Sequence, residues 1–240
     1  MLKPQQAQDA AAALVEKAAK AGASAAKALY HGDASTEINV RLGALEDAQR
    51  SESEGLSLTV YVGQQSASVS TATLNPQVLD DLVARAVAMA KAAPEDAFAG
   101  LAPDEMLLRT APPELDLDDD QDPDPAALKE RALAVEAIAR AVPGVTNSEG
   151  GSASAGRTVV GFATSQGFAA ARSASIYGTS VVVLAEQDGA MERDYAYRTV
   201  RHWADAESVE SLGQRAGDRA VRKVGAKSIA GGKMPIVLDP

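Results

Sequence analysis

Residues 36–73 alternate apolar and polar side chains so regularly that they constrain the fold more than any other part of the chain. The alternating apolar positions are Ile38, Val40, Leu42, Leu56, Leu58, Val60 and Val62. Successive side chains of a strand point to opposite faces, so this period of two indicates half-buried strands. Gly43, the polar run 51–55 and residues 63–65 are the expected turns. The pattern predicts a four-stranded antiparallel meander.

Apolar residues recur at helical spacing in four other segments, residues 4–21, 76–93, 125–141 and 206–224. Asn75 and Asp205 are the expected N-caps of the second and fourth helices, and Pro94 ends the second. The predicted buried stripes are Val78, Leu82, Val83, Ala86 and Met89 in the second helix, and Leu128, Ala132, Val135 and Ile138 in the third.

Strand patterns precede the meander and return in the second half of the chain. They cover residues 23–31, 145–154, 158–165, 168–176, 179–186 and 191–200. Turns are expected at residues 166–167 and 177–178, and Asp188-Gly189 is a hairpin signal. This order of elements predicts an α+β fold, with two units of antiparallel or mixed sheet packed with helices.

Residues 103–125 differ in composition from both neighbours, because they are rich in proline and carry a dense acidic run at 116–124. This composition is typical of a solvated linker. We therefore predict a first α+β domain at 1–102, a linker at 103–125 and a second α+β domain at 126–233. The apolar residues 234–240 resemble the first strand of a third, truncated domain, since a strand needs a neighbour for its hydrogen bonds.

The overall charge and composition exclude several kinds of site. A net charge of −10 argues against nucleic-acid and anionic membrane surfaces. The absence of cysteine excludes thiol nucleophiles, thiolate metal sites and disulfides. No apolar run approaches the roughly 20 residues of a spanning helix, and no signal peptide is visible. These features favour a cytoplasmic protein.

No metal site is predicted, because the two histidines, His31 and His202, stand far apart and outside any HExxH or HExxxH pattern. His31 precedes Gly32 and is expected in an exposed turn, and His202 is expected to be a surface or packing residue. The acidic run at 116–124 lacks the glycine of a calcium-binding loop.

Other apparent motifs lack the context that their chemistry requires. Residues 151–158 are one residue short of a phosphate-binding loop, have Arg157 in place of lysine and continue as a strand. Ser173 and Ser175 have no accompanying His–Asp pair and are interpreted as alternating strand residues. The basic patch of Arg193, Arg198 and Arg201 beside Asp194 reads as a strand face of mixed charge, with partner or peptide contact left open. No catalytic, cofactor-binding or metal-binding residue is predicted.

The order of three segments resembles the first domain of the TldD/TldE (PmbA) metalloprotease family, known as modulator of DNA gyrase. The segments are VRLGALED at 40–47, SEGLSLTVYVGQQSASVST at 53–71 and PEDAFAGLA at 94–102. The second half resembles the middle domain of that family. Its matching features are Asn147, residues 152–154, 167–168, 188–189, 194–197, 213–216 and the GKMPIV segment at 232–237. The resemblance is nearest to the TldE, or PmbA, branch.

This resemblance implies a division of labour between subunits. In the TldD branch, catalysis is attributed to a metal held by an HExxxH helix of the third domain. This chain carries no such motif, and the third domain that would carry it is absent. The nearer resemblance to the TldE branch implies the N-terminal part of a TldE/PmbA-like subunit. Its expected partners are a TldD-like catalytic subunit, which would hold zinc, and unfolded peptide substrates. The alternative is a non-catalytic protein-binding module that regulates a partner such as DNA gyrase.

Overall fold

Long antiparallel strands form a single sheet in the computed structural model, which describes residues 1–110, 112–227 and 230–238. Within these residues the six strands are β1 Ala25–Arg41, β2 Ala44–Val62, β3 Gln65–Thr71, β4 Val145–Thr164, β5 Ala169–Gln187 and β6 Ala190–Val200. Their order across the sheet is β3-β2-β1-β4-β5-β6. The helices are α1 Pro4–Lys20, α2 Pro76–Ala92, α3 Pro125–Ala141 and α4 Val209–Lys223. The predicted α+β class is confirmed.

Strand β1 joins the two halves of the chain. It pairs with β2 along one edge and with β4 along the other, so that Ile38 lies between Ala48 and Ala153. The strands that the sequence assigns to two units therefore continue across one sheet. Every neighbouring pair is antiparallel.

Several predicted turns are wrong because the strands run through them. The expected breaks at 32–33, 51–55, 155–157 and 177–178 lie inside β1, β2, β4 and β5, so residues 36–73 contribute to three strands rather than four. The glycines mark close approaches instead. A Cβ on Gly55 would lie 2.9 Å from the Thr71 oxygen, and one on Gly178 would lie 2.7 Å from Ser154 Oγ.

The helices cover one face of the sheet in two groups. Helices α1 and α2 pack on an alanine-rich cluster that includes Tyr30, Leu56 and Leu58, all buried. Helices α3 and α4 pack near the other end of the long strands, on clusters that include Val181 and Tyr177. Between α1 and α3, the non-helical segment that precedes α3 covers the middle of this face.

Helix boundaries follow the predicted caps with one exception. Asn75 accepts a hydrogen bond from Gln77 N at 2.9 Å, as expected of an N-cap. Asp205 belongs to a short 3₁₀ turn, Trp203–Asp205, and Ser208 caps α4 instead. In α2, Leu82, Val83 and Ala86 of the predicted stripe are buried, whereas Val78 and Met89 are exposed.

The end of the chain does not form the predicted strand within the described residues. Residues 234–238 are exposed and have no regular structure. Residues 239 and 240, which the prediction included, lie outside the described residues, as does residue 111 of the predicted linker.

Candidate functional site

The acidic segment, which we define as residues 116–122, is docked on the sheet through residues 117–119, which are half-buried, while 116 and 120–122 are exposed. The first half of β5 has no strand on its outer edge, because β6 pairs only from Tyr177 onward. Here Ser175 N donates to the Leu117 oxygen at 2.9 Å, and Asp119 N donates to Ser175 Oγ at 3.2 Å. The unpaired strand edge therefore holds residues 117 and 119 of the predicted linker, and the assignment of 103–125 as the boundary between two domains stays a prediction.

Asp119 holds the acidic segment to β5 and to the residues after β6. It accepts hydrogen bonds from the Tyr177 hydroxyl at 2.5 Å and from Trp203 N at 2.6 Å. Burial alone would raise the pKa of Asp119, but these bonds outweigh burial and hold the pKa below its usual value. Burial and the neighbouring carboxylate raise the pKa of Tyr177. The pair is a charge-assisted link between the segment and β5.

Arg157, the cation in the apparent phosphate-binding motif, also contacts the acidic segment. Its guanidinium lies 2.7 Å from Asp118 and 3.0 Å from Asp120. Burial opposes ionisation of Asp118, but bonds that include those from Ser173 and Arg157 lower its pKa overall. Arg157 Nε is buried without a hydrogen-bond partner among the described residues. Arg157 lies within β4 rather than in a loop that precedes a helix. Its guanidinium is paired with carboxylates, so it does not form a phosphate-binding site.

Trp203 links this region to α3. Its ring meets Tyr177 edge-on, with ring centroids 5.4 Å apart, and the Arg131 guanidinium lies 5.5 Å from the Trp203 ring centroid. Arg131 Nε also donates to Thr179 Oγ1 at 2.7 Å, and a second nitrogen bonds the Glu207 oxygen. Helix α3, β5 and the connection to α4 are thereby held together.

A cavity of about 250 Å³ lies beside the docked segment. The polar residues that line it are Ser35, Thr36, Arg50, Glu52, Gln121, Asp122, Arg157 and Tyr177. Arg50 and Glu52 form an ion pair at 2.7 Å across its rim. The described residues contain no group of three or more His, Asp or Glu side chains that could hold a metal. The cavity is therefore lined in part by charged side chains, with Arg50 and Arg157 as its cations.

The structure brings most of the candidate residues to the acidic segment, where Arg157, Ser175 and His202 make contacts, and leaves His31 apart from them. His31 lies within β1 rather than in a turn, with Nδ1 3.0 Å from Asp33. His202 lies 3.2 Å from the Asp116 oxygen, and this bond, with nearby carboxylates, raises its pKa. Ser175 Oγ bonds the Arg201 oxygen at 2.5 Å, so its hydroxyl has a structural role.

The predicted basic patch is divided among local contacts. Arg193 pairs with Glu149 at 2.7 Å, and Arg201 donates to the Ser175 oxygen at 2.9 Å. Asp194, which the patch surrounds in sequence, instead pairs with Lys223 of α4 at 2.9 Å. Two of the three arginines thus hold the strands to their neighbours.

Sequence reasoning missed Glu136, a fully buried carboxylate on α3. It accepts hydrogen bonds from Leu42 N at 2.7 Å and Gly43 N at 2.9 Å, which ties α3 to the β1–β2 turn. Burial opposes its ionisation, but hydrogen bonds from Ser148 and these amides lower its pKa overall. Its position on the same helical face as Ala132, Val135 and Ala139 was the available signal.

Comparison with known proteins gives a family match for each half of the chain. The family model of the PmbA/TldA metallopeptidase domain 1 matches residues 26–90, and that of the central domain matches residues 118–224. The chain is 30% identical over 201 residues to the metalloprotease PmbA of Escherichia coli O157:H7, covering 83% of this chain and 44% of the relative. This chain belongs to the PmbA/TldD family. The resemblance seen in its motifs is confirmed, and the central-domain match begins within the docked acidic segment.

Other members of the PmbA/TldD family agree. A PmbA homologue of Haemophilus influenzae is 29% identical over 224 residues, covering 93% of this chain and 49% of the relative. The chain thus spans just under half the length of both relatives. No helix among the described residues is long and apolar enough to cross a bilayer.

Solved structures share the fold. A protein of Bacteroides thetaiotaomicron described as a modulator of DNA gyrase superposes with a TM-score of 0.85 at 24% identity, covering 95% of this chain and 52% of that chain. TldE of Thermococcus kodakarensis superposes with a TM-score of 0.75 at 14% identity, covering 88% of this chain and 46% of that one. The common fold includes both halves of the sheet.

Proposed function

We propose that this chain is the N-terminal and middle part of a TldE/PmbA-like subunit of a cytoplasmic metalloprotease that cleaves unfolded peptides. The observation that carries the proposal is the match of both family domains, together with the likeness to relatives named PmbA. In this proposal a TldD-like subunit supplies the zinc and the activated water. The present chain contributes binding surface.

The docked acidic segment supports a role in holding extended chain. The Leu117 oxygen accepts a backbone hydrogen bond from the unpaired edge of β5, and Pro112, Pro113 and Glu114 line a groove beside Ala169–Ser173. Backbone bonds at a strand edge hold a peptide with little dependence on its side chains. A subunit that handles unfolded peptides of varied sequence would need this type of contact.

Reconstitution of proteolysis tests the proposal. We would measure cleavage of an unfolded protein, such as casein, by this chain, by a TldD-like subunit carrying HExxxH, and by the mixture of the full-length subunits. We expect no cleavage by this chain alone and chelator-sensitive cleavage by the mixture. Chelator-sensitive cleavage by the 240-residue chain alone would contradict the assignment.

A second measurement separates the alternative function. If the full-length protein leaves the activity of the TldD-like subunit unchanged but binds DNA gyrase in a purified mixture, the regulatory alternative replaces the proposal.

A further inference from the structure

The outer edge of β3 is a sheet edge without protecting charges. β3 ends the strand order, and no backbone hydrogen bond from the described part of the chain reaches its outer side. Its sequence, QSASVST, contains no charged residue. The unpaired outer half of β2 carries Glu46 and Arg50, and β6, at the other end of the sheet, carries Glu192 and Arg193. Charges on free edges oppose pairing with another strand, and β3 lacks them.

The geometry of the hairpin shows which groups β3 presents. The two-residue turn Gly63-Gln64 places Val62 opposite Gln65. Because backbone groups alternate in direction along an antiparallel pair, those of Ser66, Ser68 and Ser70 face away from β2. Ser68 and Ser70 are exposed. The edge therefore offers a row of N–H and C=O groups in the spacing that another strand requires.

Helix α2 adds an apolar flank on the same side of the molecule. Asp80 pairs with Lys17 of α1, so its side of α2 faces α1. Val78 and Met89, which are 37% and 46% exposed, lie two residues before and nine after Asp80, or about 180–200° around the helix from it. Since α1 packs on β1 and β4, this flank faces away from α1, toward the free edge of β3.

A twofold axis through the outer edge of β3 would bring both the β3 strands and the Val78–Met89 flanks of two copies together. Antiparallel pairing of β3 with a second β3, centred on Ser68, places serine opposite serine and no like charges together. Helix α2 packs across both β2 and β3, and strands lie about 4.8 Å apart, so the two α2 helices would lie ~10 Å apart. Helices pack at about 8–10 Å. Val78 would then meet Met89 of the second copy.

The charges on α2 suit the same arrangement. Asp81 and Arg85 lie between Val78 and Met89 in sequence and are exposed. In an antiparallel helix pair, Asp81 of one copy lies near Arg85 of the other, which gives two attractive contacts related by the axis. We propose that this chain forms a twofold homodimer through the edge of β3 and the Val78–Met89 flank of α2. This goes beyond the proposed function and does not depend on it.

Sedimentation equilibrium of the whole chain between 1 and 200 μM, taken as roughly the range where edge-paired interfaces assemble, tests the proposal. We expect a species of about 49 kDa, twice the 24.7 kDa of one chain. Ser68→Lys places two cations at the axis, and Met89→Lys places one in each helix contact. Each should raise the dimer dissociation constant by at least about tenfold. Met191→Lys, at a 57% exposed residue of β6, is the control and should leave the constant unchanged.

A complementary pair of variants identifies the interface directly. Ser68→Lys and Ser68→Glu should each associate more weakly than wild type, and an equimolar mixture should regain dimers containing one chain of each kind, detectable by native mass spectrometry. Thermal melting of each variant verifies that the fold persists. A monomeric wild-type chain at 200 μM, a Ser68→Lys variant as dimeric as wild type, or equal weakening by Met191→Lys would each overturn the proposal.

Discussion

Two β-hairpin turns of this protein have nearly the same backbone φ angles but are stabilised in different ways. Leu42 and Gly43 connect β1 to β2 with φ angles of 51° and 80°, and Asp188 and Gly189 connect β5 to β6 with φ angles of 53° and 78°. Both are turns of type I′, which needs positive φ at both central residues. Asp-Gly is a preferred sequence for this turn, whereas leucine rarely adopts positive φ.

The difference lies in what each turn contacts. The Glu136 carboxylate accepts hydrogen bonds from both amides of the Leu42-Gly43 turn, and Asp188 and Gly189 are exposed at the end of their hairpin. A distant carboxylate thus supports one turn, and local residue preference supports the other. The comparison shows that the residue that stabilises a turn can lie 94 residues away from it in the sequence.

The largest effect should come from removing the distant support. Glu136→Ala leaves the Leu42 and Gly43 amides without their acceptor and opens a cavity at a fully buried position, so we expect a loss of about 3 kcal/mol in the free energy of unfolding. Asp188→Ala should cost less than about 1 kcal/mol. Urea unfolding of the two variants measures the contrast. Equal losses would show that Glu136 does not support its turn in this way.

The contribution of Glu136 should also depend on pH. Its pKa is lowered in the folded protein, so its stabilisation is fully present above the unfolded pKa, about 4.3. It is lost as pH falls through the lower folded pKa. The difference in unfolding free energy between wild type and Glu136→Gln should therefore be constant near neutral pH and shrink below about pH 4. The lowered pKa values of Asp118 and Asp119 act equally in both proteins. A difference that grows on acidification would contradict this sign.

The smallest effect should come from exchanging residues that tolerate positive φ and residues that do not between the two turns. Leu42 is 52% exposed, so Leu42→Asn loses little burial and places a residue that tolerates positive φ in the turn. We expect a gain of about 0.5 kcal/mol, and a loss of about 1 kcal/mol for Asp188→Leu. Thermal unfolding of both variants checks the pair. If Leu42→Asn destabilises the protein, the leucine makes a packing contribution larger than its backbone strain.

Features with strong local signals could be predicted from the sequence. Asn75 caps α2, Pro125 begins α3, and Asp188-Gly189 turns between β5 and β6, as expected. In each case the residue acts on its own backbone or on an amide a few residues away. The motifs also indicated the PmbA/TldD family, which the comparisons confirmed.

Features that depend on a partner distant in sequence could not be predicted. Gly55 and Gly178 were interpreted as turn residues, because a glycine that admits a neighbouring backbone and a glycine that turns the chain have the same sequence signal. The acidic segment has the composition of a solvated chain. Its docking depends on Tyr177 and Ser175, which are more than fifty residues away.

The sequence by itself determined the α+β class, the starts of α2 and α3 and the Asp188-Gly189 turn, because periodicity, caps and turn residues act over a few positions. The tertiary structure decided the rest: the joining of both halves through β1 and β4, the seating of residues 116–122 on β5, and the Leu42-Gly43 turn. These depend on strand edges, amides and carboxylates that meet only after folding. Their energies come from pairing groups that would otherwise be buried without hydrogen bonds.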